Sequence, residues 1–403
     1  MKKYTLKEKF KALGPGLLVV GSFIGPGTIT SSTKAGATYG YQLLWCIVFS
    51  VIAVIVMQGM AARLGIVTHQ GICENLLDEF KNHKALRYFA MFMVAVPIAL
   101  GGYAYMGGDL TGTAIGLSAL TGIPSHIIAP IWGICILFIS GHSNAIKYLE
   151  KLLTVCVSVM AVVFLITMFV VKPDLSAVCS GLVPHVPAGA IMTCVALIGT
   201  TVVPYNLFIH ATSAHQTWKD PEQIPLANFD VRVSMTIGGF ITAAVLITSA
   251  TVMYGMEVNS AVDMAEQLKP LLGDFAVPFL AIGLIAAGVS SAVVTPLGVS
   301  YVMGTLFGWK LDRSDKRYFA SFLSVIIFGI FIAASGFNPV AIIMTAQAVN
   351  GVFLPVSVLT LLYLASKTRV MGQYKNNMLQ VVLGTGVFAI SLIIGVSSVL
   401  SVF

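Results

Sequence analysis

Long apolar stretches separated by short polar ones recur along the whole chain, and each is about the 20 residues that a helix needs to cross a bilayer. Measured this way, the pattern predicts eleven spans, near residues 13–37, 41–62, 88–121, 127–143, 152–171, 188–213, 234–255, 275–306, 318–335, 338–366 and 378–402. The runs are continuous rather than alternating, which excludes a membrane β-barrel. The longest polar interruptions, 66–86, 214–233 and 256–274, have room for at most one short helix each. The expected fold is therefore an all-α polytopic membrane protein, with residues 1–403 forming one transmembrane domain.

Composition supports that reading and gives it an orientation. The chain is 57% hydrophobic and 10% charged, too few charged residues to coat a soluble core of this size. The surplus apolar surface must face lipid. The net charge of +7 is no sign of nucleic-acid binding, because the basic residues are scattered through short loops rather than gathered in a patch. Five lysines (Lys2, Lys3, Lys7, Lys9, Lys11) precede the first apolar run, but no small-residue cleavage site follows, so that run reads as a span and not a leader. With the N-terminus inside, 20 Lys and Arg fall on the cytoplasmic side, among them Lys81, Lys84, Arg87, Lys147, Lys151 and Lys310, and only Lys34, Lys172 and Lys269 on the other. The positive-inside rule thus predicts an inner-membrane protein with a cytoplasmic N-terminus and an external C-terminus. The six cysteines show neither CxxC nor His-paired spacing and read as small packing residues.

Two spans are interrupted near their middles. The first carries Gly25-Pro26-Gly27-Thr28 and the sixth Val203-Pro204-Tyr205-Asn206. Proline removes a backbone donor and glycine releases the chain from helical geometry. Unwound backbone at membrane depth is tolerated only against protein or a water-filled cavity. A pair of ordinary proline kinks is the plainer alternative. Breaks at positions one and six instead suggest an inverted five-plus-five repeat, about 13–171 and 188–366, with an extra helix at about 378–402 and a site between the breaks. Residues 25–28 and 203–206 are expected to leave helical geometry and face each other.

Further motifs surround these breaks: Gly14-Pro15-Gly16, Lys34-Ala35-Gly36-Ala37, Ala62-Arg63-Leu64-Gly65-Ile66-Val67-Thr68, Gly112-Thr113-Ala114-Ile115-Gly116-Leu117, Ile198 to Leu207, Ala286 to Ser291, and Gln347 with Leu354-Pro355. In this order they resemble the NRAMP superfamily of proton-coupled divalent-metal transporters over nearly the whole length. The resemblance implies a LeuT-like inverted repeat and secondary active transport, with no enzymatic activity and no cofactor. The partners it implies are a small solute or divalent cation, protons, and the lipid bilayer.

At the metal site the chain departs from that family. Where the family has Asp and Asn in the first break, this sequence has Gly25 and Thr28. Where it has Met and His in the sixth, this sequence has Val203 and Tyr205, and Gln347 alone is retained. Charge and a soft thioether are what hold manganese or iron, and a harder ion would want a carboxylate still more. A neutral or anionic solute, or a membrane sensor or scaffold that transports nothing, are therefore rival readings. Lys34, beyond the first break, would repel a cation on its way in, unless it snorkels to the outer interface. The intramembrane carboxylate Asp109 takes the place of a family glutamate associated with proton movement, and His210 matches a family histidine, so both are proton-pathway candidates. Each could instead be a structural helix contact, as could Gln347. Gly108, Gly112 and Gly116 fall on one helix face and are expected to serve close packing.

Overall fold

The computed structural model describes residues 4–16, 24–139 and 143–401, and the side chains of 143–152 lie outside the described set. Lys2, Lys3, the side chains of Lys147 and Lys151, and part of the first span therefore lie outside it too. All regular structure among the described residues is helical. The principal helices are α1 (Pro26–Tyr39), α2 (Leu44–Thr68), α3 (Lys84–Thr121), α4 (Ser125–Ile139), α5 (Ser143–Val170), α6 (Ile191–Thr201) and α7 (Pro204–Thr217). They continue with α8 (Ile224–Val252), α9 (Ala276–Phe307), α10 (Lys316–Ala333), α11 (Pro339–Ser366) and α12 (Met378–Leu400). Nine stretches among the described residues are long and apolar enough to cross a membrane, and the sixth expected span is α6 and α7 together. The fourth expected span is the shorter α4, of 15 residues, and α1 is the described helical part of the first span's second half.

The largest boundary shift follows from polar caps, which outrank hydropathy at helix ends. The seventh span was expected from 234, yet α8 starts at Ile224. Asp220 accepts the Glu222 backbone N–H and forms a capping box with Gln223, and Pro221 and Pro225 occupy first-turn positions where a missing N–H costs nothing. The earlier start draws Asp230 into a buried helix. Asn338 caps α11 ahead of Pro339, and Asn377 with Gln380 forms a capping box on α12.

Helix α3 is the axis of the bundle: α9, α11 and α10 all pack on it. On the other side α8 packs against α1 and α2, α7 against α2, and α6 against α11. Lipid gives little hydrophobic drive to bring helices together, so approach depends on small residues. Gly112 lies against Pro26, Gly199 against the Gln347 and Gly351 backbone, and Gly65 against the Ala211 carbonyl, all with no room for a Cβ. Gly108 abuts Ala346 and Gly116 the Ala281 carbonyl, so the expected ladder brings α3 against α11, the first break and α9. The outer faces of α3, α4, α5, α10 and α12 expose large apolar side chains such as Phe92, Phe138, Phe169, Phe331 and Ile393, as lipid-facing helices do.

Candidate functional site

Both breaks are narrower than their motifs suggest. Gly25 is extended (φ −108°, ψ −174°) and Pro26 already stands at the first helical position of α1. In the sixth span α6 ends at Thr201, Val202 and Val203 are non-helical, and Pro204 opens α7. Residues 26–28 and 204–206 are therefore helical, contrary to expectation. The proline is the reason: its ring fixes φ near the helical value and its missing N–H is an orphan in the first turn anyway, so it starts a helix rather than disrupting one.

The two breaks come together on α11. Thr28 Oγ1 lies 2.9 Å from Thr200 Oγ1, joining α1 to α6 across the interruptions. Gln347 packs its amide onto the Cα of Gly27, where any side chain would collide with it, and its own carbonyl lies against Gly199. The Gln347 side chain is fully buried, yet neither Oε1 nor Nε2 has a hydrogen-bond partner. Leaving a buried amide unbonded costs about 1–3 kcal/mol per group. Just along α1, the hydroxyls of Thr30, Ser31 and Ser32 are also buried and unbonded. Val203 and Tyr205 are buried at the second break.

Tyr205 joins a second network. Its Oη lies 3.0 Å from Thr295 Oγ1, and Asp109 Oδ2 accepts from Thr295 Oγ1 at 3.1 Å and from Ser291 Oγ at 2.8 Å. With Thr295 donating to the carboxylate, Tyr205 donates to Thr295. Asp109 is thus a buried carboxylate held by α9 and tied by one hydroxyl to the sixth-span break. It also approaches the first break: a Cβ on Gly25 would meet only the Cβ and Oγ of Ser291, at 3.9 Å. The space that a longer side chain at Gly25 would fill adjoins the hydroxyl that holds Asp109. His210 stands apart, about 7–8 Å further along α7 than Tyr205. It is fully buried with both ring nitrogens unpartnered.

Lys34 stands beside the central site. It is half-buried and lines a cavity of about 480 Å³ with Met192 and Thr193 of α6, Val258, Asn259, Asn338 and one face of α11 ending at Thr345. These are the helices that form the central site, and Lys34 lies about 9 Å beyond Thr28 along α1. It makes no ion pair among the described residues.

Four participants were not singled out from the sequence. Thr200, Ser291 and Thr295 are single hydroxyls in apolar helices, and only the packing shows what they touch. Asp230 was read as lying before a span. It is fully buried on α8, where Oδ1 accepts from the Gly14 N–H at 3.0 Å and Oδ2 from the Gly16 N–H at 2.6 Å, with Ser234 Oγ at 3.3 Å. Among the described residues no three His, Cys, Asp or Glu come close enough to hold a metal ion.

The profile of the natural resistance-associated macrophage protein-like family, Nramp, matches residues 16–401. The chain belongs to that family. Among curated relatives, a divalent metal cation transporter (MntH) of Aeromonas hydrophila is 27% identical over 98% of this chain and 96% of its own length. The structure of an Eremococcus coleocola manganese transporter superposes with a TM-score of 0.80 at 22% identity, covering 100% of this chain and 89% of that one. MhsT, solved with L-phenylalanine, superposes with a TM-score of 0.60 at 16% identity over the full length of both. At those identities the solved structures speak for the fold: this Nramp-like chain is an all-helical, LeuT-like multi-pass membrane protein.

Proposed function

We propose that this Nramp-like chain is a secondary active transporter, one domain of two inverted repeats, that carries a small solute through a site lined by Gly25, Thr28, Val203, Tyr205 and Gln347. The Gln347 amide carries the reading. It is fully buried between the two helix breaks, with donor and acceptor both unsatisfied. A cargo that bonds to it would recover that cost. Relatives named as divalent metal cation transporters make a divalent cation the first cargo to consider. It would be held by neutral oxygens, those of Thr28, Thr200 and Gln347, with the Asp109 carboxylate one hydroxyl from Tyr205. So few charged ligands imply weak binding, on the order of millimolar. The charge split favours a cytoplasmic N-terminus and an external C-terminus in an inner membrane.

A second reading, a neutral or anionic solute, is favoured by one observation: the unpaired Lys34 lines the outer cavity above the site. Uptake by purified protein in liposomes, across manganese, iron, magnesium and a panel of metabolites, separates the two. Flux above empty liposomes that falls with Gln347→Ala supports the site. No flux for any solute would leave a sensor or scaffold. Proton coupling, if present, is assigned to Asp109, with His210 secondary. Asp109→Asn keeps the shape and removes the titratable group, and is expected to flatten the pH dependence of uptake while changing cargo affinity by less than about twofold. An unchanged pH profile would leave Asp109 a packing residue.

A further inference from the structure

A second site lies far from the helix breaks, on the face that carries the N-terminus. A cavity of about 430 Å³ opens between the first turns of α3 and the last turns of α9, lined by Leu77, Lys81, Lys84, Arg87, Tyr88, Met91 and residues 305–308. Three cations line it and no carboxylate does. None of the three forms an ion pair among the described residues, whereas Arg317 on the same face pairs with Asp315. The nearest acids in sequence, Asp78 and Glu79, face a neighbouring cavity, where they accept from Gln70 Nε2 at 3.2 Å and Tyr363 Oη at 3.2 Å. Lys81 lines both cavities.

The cavity also has a depth. At 38 residues α3 is about 57 Å long, well beyond the roughly 30 Å hydrocarbon core, so its first turns stand at headgroup level. Immediately along α3, Tyr88, Phe89 and Phe92 are 68%, 61% and 58% exposed, and Phe307 stacks on Trp309 at the end of α9. Aromatic side chains grouped like this mark the membrane interface. A basic, carboxylate-free cavity at that level, continuous with an apolar lipid-facing stripe, matches an anionic headgroup with its acyl chains attached.

We propose that Lys81, Lys84 and Arg87 bind the phosphate of an anionic phospholipid, whose acyl chains run along the Tyr88, Phe89 and Phe92 face. A bound lipid would clamp α3 to α9, the two helices that hold the Asp109 network. The test is native mass spectrometry on full-length protein released from nanodiscs of mixed phosphatidylglycerol and phosphatidylcholine. The wild type should retain phosphatidylglycerol, and the Lys81→Gln/Lys84→Gln/Arg87→Gln variant should lose about tenfold or more of it. Lys310→Gln/Arg313→Gln/Lys316→Gln, equal in basic-residue loss on the same face, should retain it. Arg87→Gln alone keeps the test decisive if the triple variant fails to fold, and should show a smaller loss in the same direction. Soluble glycerol phosphate should not displace the lipid. Equal retention by wild type and the cavity variants, equal loss in the control, or displacement by glycerol phosphate would each overturn the proposal, the last by making it a site for a free phosphate.

Discussion

The two buried carboxylates and the central site are opposites in how they meet their hydrogen-bonding needs. Asp230 accepts two backbone N–H groups and lies beside Ser234, and Asp109 accepts two hydroxyls. Gln347, equally buried, accepts and donates nothing, and three hydroxyls along α1 share its state. The two buried acids are tied into the frame, whereas Gln347 and the three α1 hydroxyls beside the first break are left without partners. Buried polar groups are paired in nearly all folded proteins, so a cluster of exceptions at a helix break points to a missing partner rather than to poor packing. In this Nramp-like chain, the buried acids organise the scaffold, while the proposed cargo site carries no charged side chain.

That contrast can be broken most sharply at Asp230. Asp230→Ala should cost about 3 kcal/mol, because two backbone donors at the start of the first span lose a charged acceptor. Asp230→Asn, which keeps one acceptor oxygen, should cost less. Thermal unfolding of the purified protein reads this out, and an unchanged midpoint in the alanine variant would remove Asp230 from the frame. Next in size is the effect of giving the site a charge and a thioether. Gly25→Asp with Thr28→Asn and Val203→Met should raise manganese affinity by at least about tenfold in calorimetry. Gly25 has the space, since a Cβ there meets only Ser291 at ordinary contact distance. No gain would mean that these positions do not face one site.

Gln347→Leu separates the two kinds of buried group. It removes an amide that bonds to nothing, so stability should hold or rise by up to about 1 kcal/mol, whereas cargo affinity should fall about tenfold. A loss of stability with binding intact would make Gln347 part of the frame. The smallest expected effect is at Lys34. Lys34→Gln should raise cation uptake by about threefold at low ionic strength, the gain fading as salt is added. A rise that ignores salt would point to steric widening of the cavity instead of a charge effect.

Much of the fold could be read along the chain because membrane spans announce themselves one at a time. Ten of the expected spans coincide with described helices to within a few residues at most ends, and α8 and α5 differ most, starting 10 and 9 residues ahead of their expected spans. Both breaks were visible as proline motifs, although the prolines turned out to begin helices. The departures at Gly25, Thr28, Val203 and Tyr205 were also legible, because the family resemblance implies which residue types those positions would otherwise carry.

What the sequence determined by itself was therefore the chemistry available: helices for lipid, two interruptions, a neutral set of side chains at the breaks and one conspicuous carboxylate. Tertiary structure alone decided which of those groups meet. Thr28 finds Thr200 across 172 positions, Asp109 finds Ser291 across 182, and Asp230 reaches back 216 and 214 to Gly14 and Gly16. A hydroxyl or carboxylate in an apolar helix has the same local pattern whether or not a partner waits on another helix. Packing supplies the partner, and here it supplied one to each buried acid on α3 and α8 and none to Gln347.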